Sequence, residues 1–107
     1  MKEIKAYIHH IRSAAVTEAL RDANYKNITL LDVKGTLSAL CESEQKLSEE
    51  AGVIISEVKL ELICEDQQFE EVAQIIKKHG QIGKKISGWI YISPVDKVIA
   101  IEPELIS

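Results

Sequence analysis

The sequence lacks several features that would assign it to a common class of protein. No run approaches the roughly 18 apolar residues of a membrane-spanning helix, and the charged start Met1–Lys5 is unlike a secretory signal. The formal net charge is −4 and the pI about 5.4, whereas phosphate backbones are bound by concentrated basic surfaces. We therefore expect a cytoplasmic protein with no nucleic-acid partner and no direct membrane insertion.

Catalytic and metal-binding motifs are also missing. Cys41 and Cys64 form no CxxC pair and are interpreted as free thiols. No serine or cysteine lies in a recognisable nucleophile motif, so we expect that the protein is not an enzyme. The candidate metal ligands are Cys41, His9, His10 and His79, together with an acidic loop. Adjacent strand residues point to opposite faces, so His9 and His10 cannot readily chelate one ion together. Both are alternatively surface or interface residues.

The sequence does contain a βαβ pattern twice over. Alternating or β-branched apolar residues predict four strands, at about 4–8, 28–33, 53–64 and 89–92, with a further apolar run at 98–101. Apolar residues spaced by three and four predict two amphipathic helices between them. Ser13 and Asp66 are the expected N-caps, and Gly80 is the expected stop of the second helix.

Two βαβ units in one chain of 107 residues predict a single α+β domain, because right-handed crossovers place both helices on one face of a four-stranded sheet. The other face then has no cover. Trp89 and Tyr91, or Ile90 and Ile92, must point away from the helices, since neighbouring strand residues alternate. We expect the open face to be covered by self-association.

Two loops are candidates for function. The segment at about 36–55 is too long for an ordinary hairpin connection and is acidic, which suits either a mobile loop or a contact arm that orders on a ligand or protein. The segment 79–88 has three glycines and two lysines. It could converge backbone amides on an anion, although a plain turn explains it equally well.

Four stretches of this chain together resemble the PII family of signal-transduction proteins, namely 28–35, 58–62, 80–83 and 90–95. The match runs through nearly the whole chain. The resemblance implies a ferredoxin-like βαββαβ sandwich with a four-stranded antiparallel sheet. It also implies a homotrimer with inward-facing sheets, clefts between subunits that bind adenine nucleotides, and long loops that engage target proteins.

The resemblance carries over to the cleft only in part. The residues that fall where the family lines its cleft are Thr29, Gly35, Glu61, Ile63, Gly80, Ile82 and Gly83. Trp89 occupies the position of a phosphate-binding lysine in the family, and Ala100 and Glu102 occupy the positions of two arginines. Lys84 and Lys85 compensate in part for this loss of positive charge. The implied site therefore binds ATP weakly or takes a less charged ligand.

The chain is similar to a divergent PII-like subgroup associated with heavy-metal efflux. We interpret it as a non-enzymatic, homotrimeric regulator that senses a small ligand between subunits and controls a partner, such as a membrane transporter, through its long loop. The alternative is a metal-responsive binding protein linked to heavy-metal efflux or tolerance.

Overall fold

The computed structural model describes residues 1–36 and 55–104. These contain, in chain order, β1 (Lys2–His9), α1 (Ser13–Asp22), β2 (Thr29–Gly35), β3 (Ile55–Cys64), α2 (Phe69–Gly80) and β4 (Gly88–Pro94), with a 3-10 turn, His10–Arg12, before α1. The body of the predicted loop at about 36–55, including Cys41, lies outside the described residues.

The four strands form one antiparallel sheet in the order β2-β3-β1-β4. In the middle of the sheet Ala6 lies opposite Leu60 on one side and Ile90 on the other. This arrangement confirms the predicted α+β, ferredoxin-like fold with both helices on one face.

The core lies between the helices and one face of the sheet. Every second residue of the central strands is buried, as at Ile4 and Leu60, and meets helical residues such as Val16, Leu20 and Val72. Burial of each such side chain contributes about 1.5–3 kcal/mol to folding, so the period-two pattern determines which face the helices cover.

Both predicted helix caps are wrong. Ser13 is the first residue of α1, and its hydroxyl donates to the carbonyl oxygen of His10 at 2.8 Å. Asp66 places a carboxylate oxygen 2.7 Å from the amino nitrogen of Met1, while α2 begins three residues later. Short polar side chains also bond to nearby groups outside the helix, so their position alone does not make them caps.

Gly80 ends α2 as predicted, although its φ is not positive as in a left-handed C-terminal cap. It is buried as the last helical residue, and a methyl group built on it would lie 3.5 Å from Ile8 Cγ2 and 3.7 Å from Val16 Cγ2. These are ordinary contact distances, so the packing of α2 on β1 and α1 leaves room for a methyl group here. The apolar run at 98–101 follows β4 outside any described strand, with Val98 and Ile99 exposed.

Asn24 terminates α1 through a Schellman motif. Its φ is +76°, its N–H donates to Arg21 O at 2.9 Å, and the N–H of Tyr25 donates to Leu20 O at 2.9 Å. Asparagine and glycine tolerate this left-handed conformation better than other residues.

We predict that Asn24→Ala lowers the free energy of unfolding by about 1 kcal/mol, because alanine is strained at positive φ. Asn24→Gly is the matched control and should change it by less than about 0.5 kcal/mol. Urea unfolding checks both variants, and equal losses would contradict the assignment.

Candidate functional site

The sheet face opposite the helices is called the open face here. Strand alternation and register assign to it Thr29, Leu31, Val33 and Gly35 of β2, Ile55, Glu57, Lys59, Glu61 and Ile63 of β3, Glu3, Lys5, Tyr7 and His9 of β1, and Trp89, Tyr91 and Ser93 of β4. The face thus mixes apolar, aromatic and charged side chains.

An aromatic cluster occupies the β1–β4 half of the open face. The rings of Tyr7 and Tyr91 meet edge to face with centroids 5.7 Å apart, and Lys59 Nζ lies 6.0 Å from the Tyr7 ring centroid. Trp89 and Tyr91 remain 54% and 56% exposed, whereas Ile90 faces the core. The first of the two predicted orientations is therefore the one adopted, and large apolar surface is left uncovered in the single chain.

The charges on this face are paired along the strands. Lys59 Nζ lies 2.9 Å from Glu61 Oε1, and Lys5 Nζ lies 3.1 Å from Glu3 Oε1. The hydrogen bond to Glu61 is the main cause that raises the pKa of Lys59. Because each strand neutralises part of its own charge, the aromatic cluster is not surrounded by charge of one sign.

The predicted cleft residues lie on two sides of the sheet. One group belongs to the edge strand β2 and its neighbour β3, where Thr29 pairs with Glu61, and consists of Thr29, Gly35, Glu61 and Ile63. The other surrounds the start of β4 and consists of Gly80, Ile82, Gly83, Lys84, Lys85 and Trp89. Three strand spacings separate β2 from β4 by roughly 14 Å, so the two groups lie apart in the single chain.

Side-chain hydrogen bonds define the loop between α2 and β4. Gln81 Nε2 donates to the carbonyl oxygens of Gly83 and Lys85 at 3.1 and 2.7 Å. The buried Ser87 hydroxyl accepts from Ile82 N at 2.8 Å and has carbonyl oxygens within donating distance. The exposed Lys84 side chain is therefore carried on a loop whose backbone is held by Gln81 and Ser87.

A cavity of about 180 Å³ lies beside this loop. Two predicted site residues line it, Gly80 and Trp89, together with Ser87 and apolar side chains such as Ile76 and Ile86. A larger open groove of about 990 Å³ lies against α1 and Leu30, and none of the predicted site residues lines it. The loop cavity thus overlaps the predicted site at these two residues.

Glu57 and His9 are buried on the open face, at 5% and 2% exposure. They lie directly opposite each other in the β1–β3 register. A methyl group built on Gly35 would overlap the Glu57 carboxylate, so glycine at this position makes room for that side chain. Burial raises the pKa of the Glu57 carboxyl, and the interaction with His9 opposes the rise.

The predicted metal ligands do not come together within the described part of the chain. No three histidine, cysteine, aspartate or glutamate residues in 1–36 and 55–104 could hold one ion. His10 Nδ1 lies 3.2 Å from Ser56 O, and the carbonyl of His79 accepts from Arg12 Nε at 2.8 Å. In the same ranges, no helix is both long enough and apolar enough to cross a membrane.

Sequence reasoning did not assign roles to Gln81, Ser87 or Glu57. A glutamine and a serine that flank a glycine-containing loop are a usable signal, because both side chains can bond loop carbonyls. The burial of Glu57 follows from the β2–β3 register, which places Gly35 beside it. Strand pairing of that kind is not visible in the sequence pattern of either strand.

Comparison with known proteins gives consistent matches. The profile of the family described as Nitrogen regulatory protein P-II matches residues 1–104. The chain is 30% identical to Nitrogen regulatory protein P-II of Azospirillum brasilense and 31% to that of Rhizobium meliloti, covering 94% of this chain and 91% of each relative. It is 30% identical to Nitrogen regulatory protein P-II 2 of Methanothermobacter thermautotrophicus, over 94% of this chain and 89% of the relative.

We predict that Ser87→Ala lowers the free energy of unfolding by about 1–3 kcal/mol, because the Ile82 N–H loses its hydroxyl partner. Amide exchange at Ile82 should accelerate with it. The exposed Ser56→Ala is the matched control and should change stability by no more than about 0.5 kcal/mol. Unchanged exchange at Ile82 would show that the hydroxyl does not hold the loop.

Proposed function

Because this chain belongs to the Nitrogen regulatory protein P-II family, we propose that it is a non-enzymatic regulator that works as a homotrimer. A small ligand binds in clefts between its subunits, and the loop at about 36–55 engages a partner protein. The observation that supports this proposal is the division of the predicted cleft residues between the β2–β3 side and the β4 side of the sheet.

The β4 half of the cleft and Gly35 lie at the same end of the sheet, whereas Thr29, Glu61 and Ile63 lie farther toward the other end. Gly35 ends β2 there, His9 ends β1, and Gly88 begins β4 opposite Ile8. A rotation that sets the β2 edge of one copy against the β4 edge of the next would bring Gly35 to the lysine loop. Closed rotational symmetry repeats that contact identically, and it covers the aromatic cluster of the open face.

The proposed ligand is an adenine nucleotide or a related, less charged molecule. Lys84 and Lys85 supply positive charge at the β4 edge, and Trp89 offers a flat apolar surface. Ala100 and Glu102 provide no cation, and Glu102 adds a negative charge. Few charge-assisted contacts therefore remain for a triphosphate, each of which contributes roughly 1.5–3 kcal/mol.

The proposed partner is a regulated protein such as a membrane transporter, and the proposed location is the cytoplasm. The support is the regulatory role in the names of the relatives and the acidic composition of the long loop. The metal-responsive alternative is tested by calorimetry, in which the purified protein is titrated with divalent metals as well as with adenine nucleotides.

We predict a particle of three 12.0 kDa chains in light scattering at micromolar concentration. Leu31→Glu should shift it toward the monomer, because the charge falls on the surface that association buries. Ala14→Glu, on the exposed side of α1, should leave the mass unchanged. A stable 12.0 kDa species of the unmodified protein would refute the trimer.

We predict that the unmodified protein binds ATP weakly, and that Ala100→Arg with Glu102→Arg strengthens binding by at least about tenfold through added charge-assisted contacts. Asp96→Arg makes the same change of charge as Glu102→Arg at another position after β4, and it should strengthen ATP binding by less. Calorimetry measures all three proteins. Tight, magnesium-dependent ATP binding by the unmodified protein would contradict this assignment.

A further inference from the structure

Glu57 is an unusual residue for the open face. The other charged side chains described there, such as Lys59 and Glu61, are partly exposed and form surface ion pairs. The Glu57 carboxylate is instead buried between strands, opposite His9 and against the α-carbon of Gly35. A buried carboxylate acts on its surroundings through a lower dielectric than an exposed one, so its charge is felt more strongly.

Gly35 lies between the Glu57 carboxylate and the position proposed for the ligand. It is one of the predicted cleft residues, and its missing side chain is what admits the Glu57 carboxylate. Gly35 also lies at the sheet end where a second copy would present Lys84 and Lys85. A phosphate chain that reached from those lysines toward Gly35 would therefore approach the buried negative charge.

We propose that Glu57 is a specificity-determining residue of the cleft, which disfavours anionic ligand groups at Gly35 and favours neutral or cationic ones. This inference rests on the proposed intersubunit cleft. The ligand class it selects is an adenine nucleoside with one phosphate or none, in preference to a di- or triphosphate. His9 limits the repulsion and keeps the carboxylate from being a lone buried charge.

Calorimetry with ATP, ADP, AMP and adenosine, in EDTA without divalent cations and again with magnesium, tests the proposal. The unmodified protein should bind AMP or adenosine at least as tightly as ATP. Glu57→Gln, which keeps the shape and removes the charge, should strengthen ATP binding by about tenfold or more, with smaller gains for ADP and AMP. Adenosine binding should change by less than about twofold.

Two further proteins act as controls. Glu18→Gln removes one negative charge from the exposed surface of α1 and should leave the order of the four ligands unchanged. Glu57→Ala removes the carboxylate without requiring an amide to fit against Gly35, so it replaces Glu57→Gln if that variant does not fold. Thermal unfolding and light scattering establish that each variant keeps its fold and assembly.

Each outcome is decisive. A charge-graded gain in each Glu57 variant that folds supports the inference. Equal affinities in the variants and the unmodified protein would overturn it while leaving the nucleotide cleft intact. Failure of every protein to bind all four ligands would overturn the proposed cleft and the inference with it. ATP binding that needs magnesium and is lost in Glu57→Gln would show that the carboxylate attracts phosphate through a metal ion, contrary to the proposal.

Discussion

One-sided burial of the sheet is the constraint on which the rest of this structure depends. The central strands place Ile4, Ala6 and Leu60 under the helices, because alternate residues of a strand face opposite ways. The same alternation places Tyr7 and Trp89 on the other face, where no described helix lies. A chain of this size has one layer of helices, so the open face is available for association or ligand binding.

In the proposed assembly, the order β2-β3-β1-β4 makes the open face a shared site. This order places β2 and β4 at opposite edges, although Gly35 and Gly88 lie at the same end of the sheet. Both glycines allow a close contact, since a methyl group would overlap the Glu57 carboxylate at Gly35 and the Tyr7 carbonyl at Gly88. The proposed cleft, with residues from both sides of the sheet, requires two copies of the chain.

The parts of the fold that follow from periodicity were predicted well, and those that depend on individual polar side chains were not. In the described part of the chain, alternation located the four strands, and spacing of three and four located the two helices. Ser13 and Asp66 were misassigned as caps because their oxygens found other partners. Gly80 was placed correctly at a helix end, although its φ is not positive there.

The sequence by itself determined the βαββαβ order, the buried face and the family resemblance, because each rests on local pattern. Only the tertiary structure decided that the predicted cleft residues divide between two sides of the sheet, that Gln81 and Ser87 hold the lysine loop, and that Glu57 is buried beside Gly35. The physical reason is register. Which residues face each other across strands depends on pairings between segments distant in the chain, and local periodicity carries no information about them.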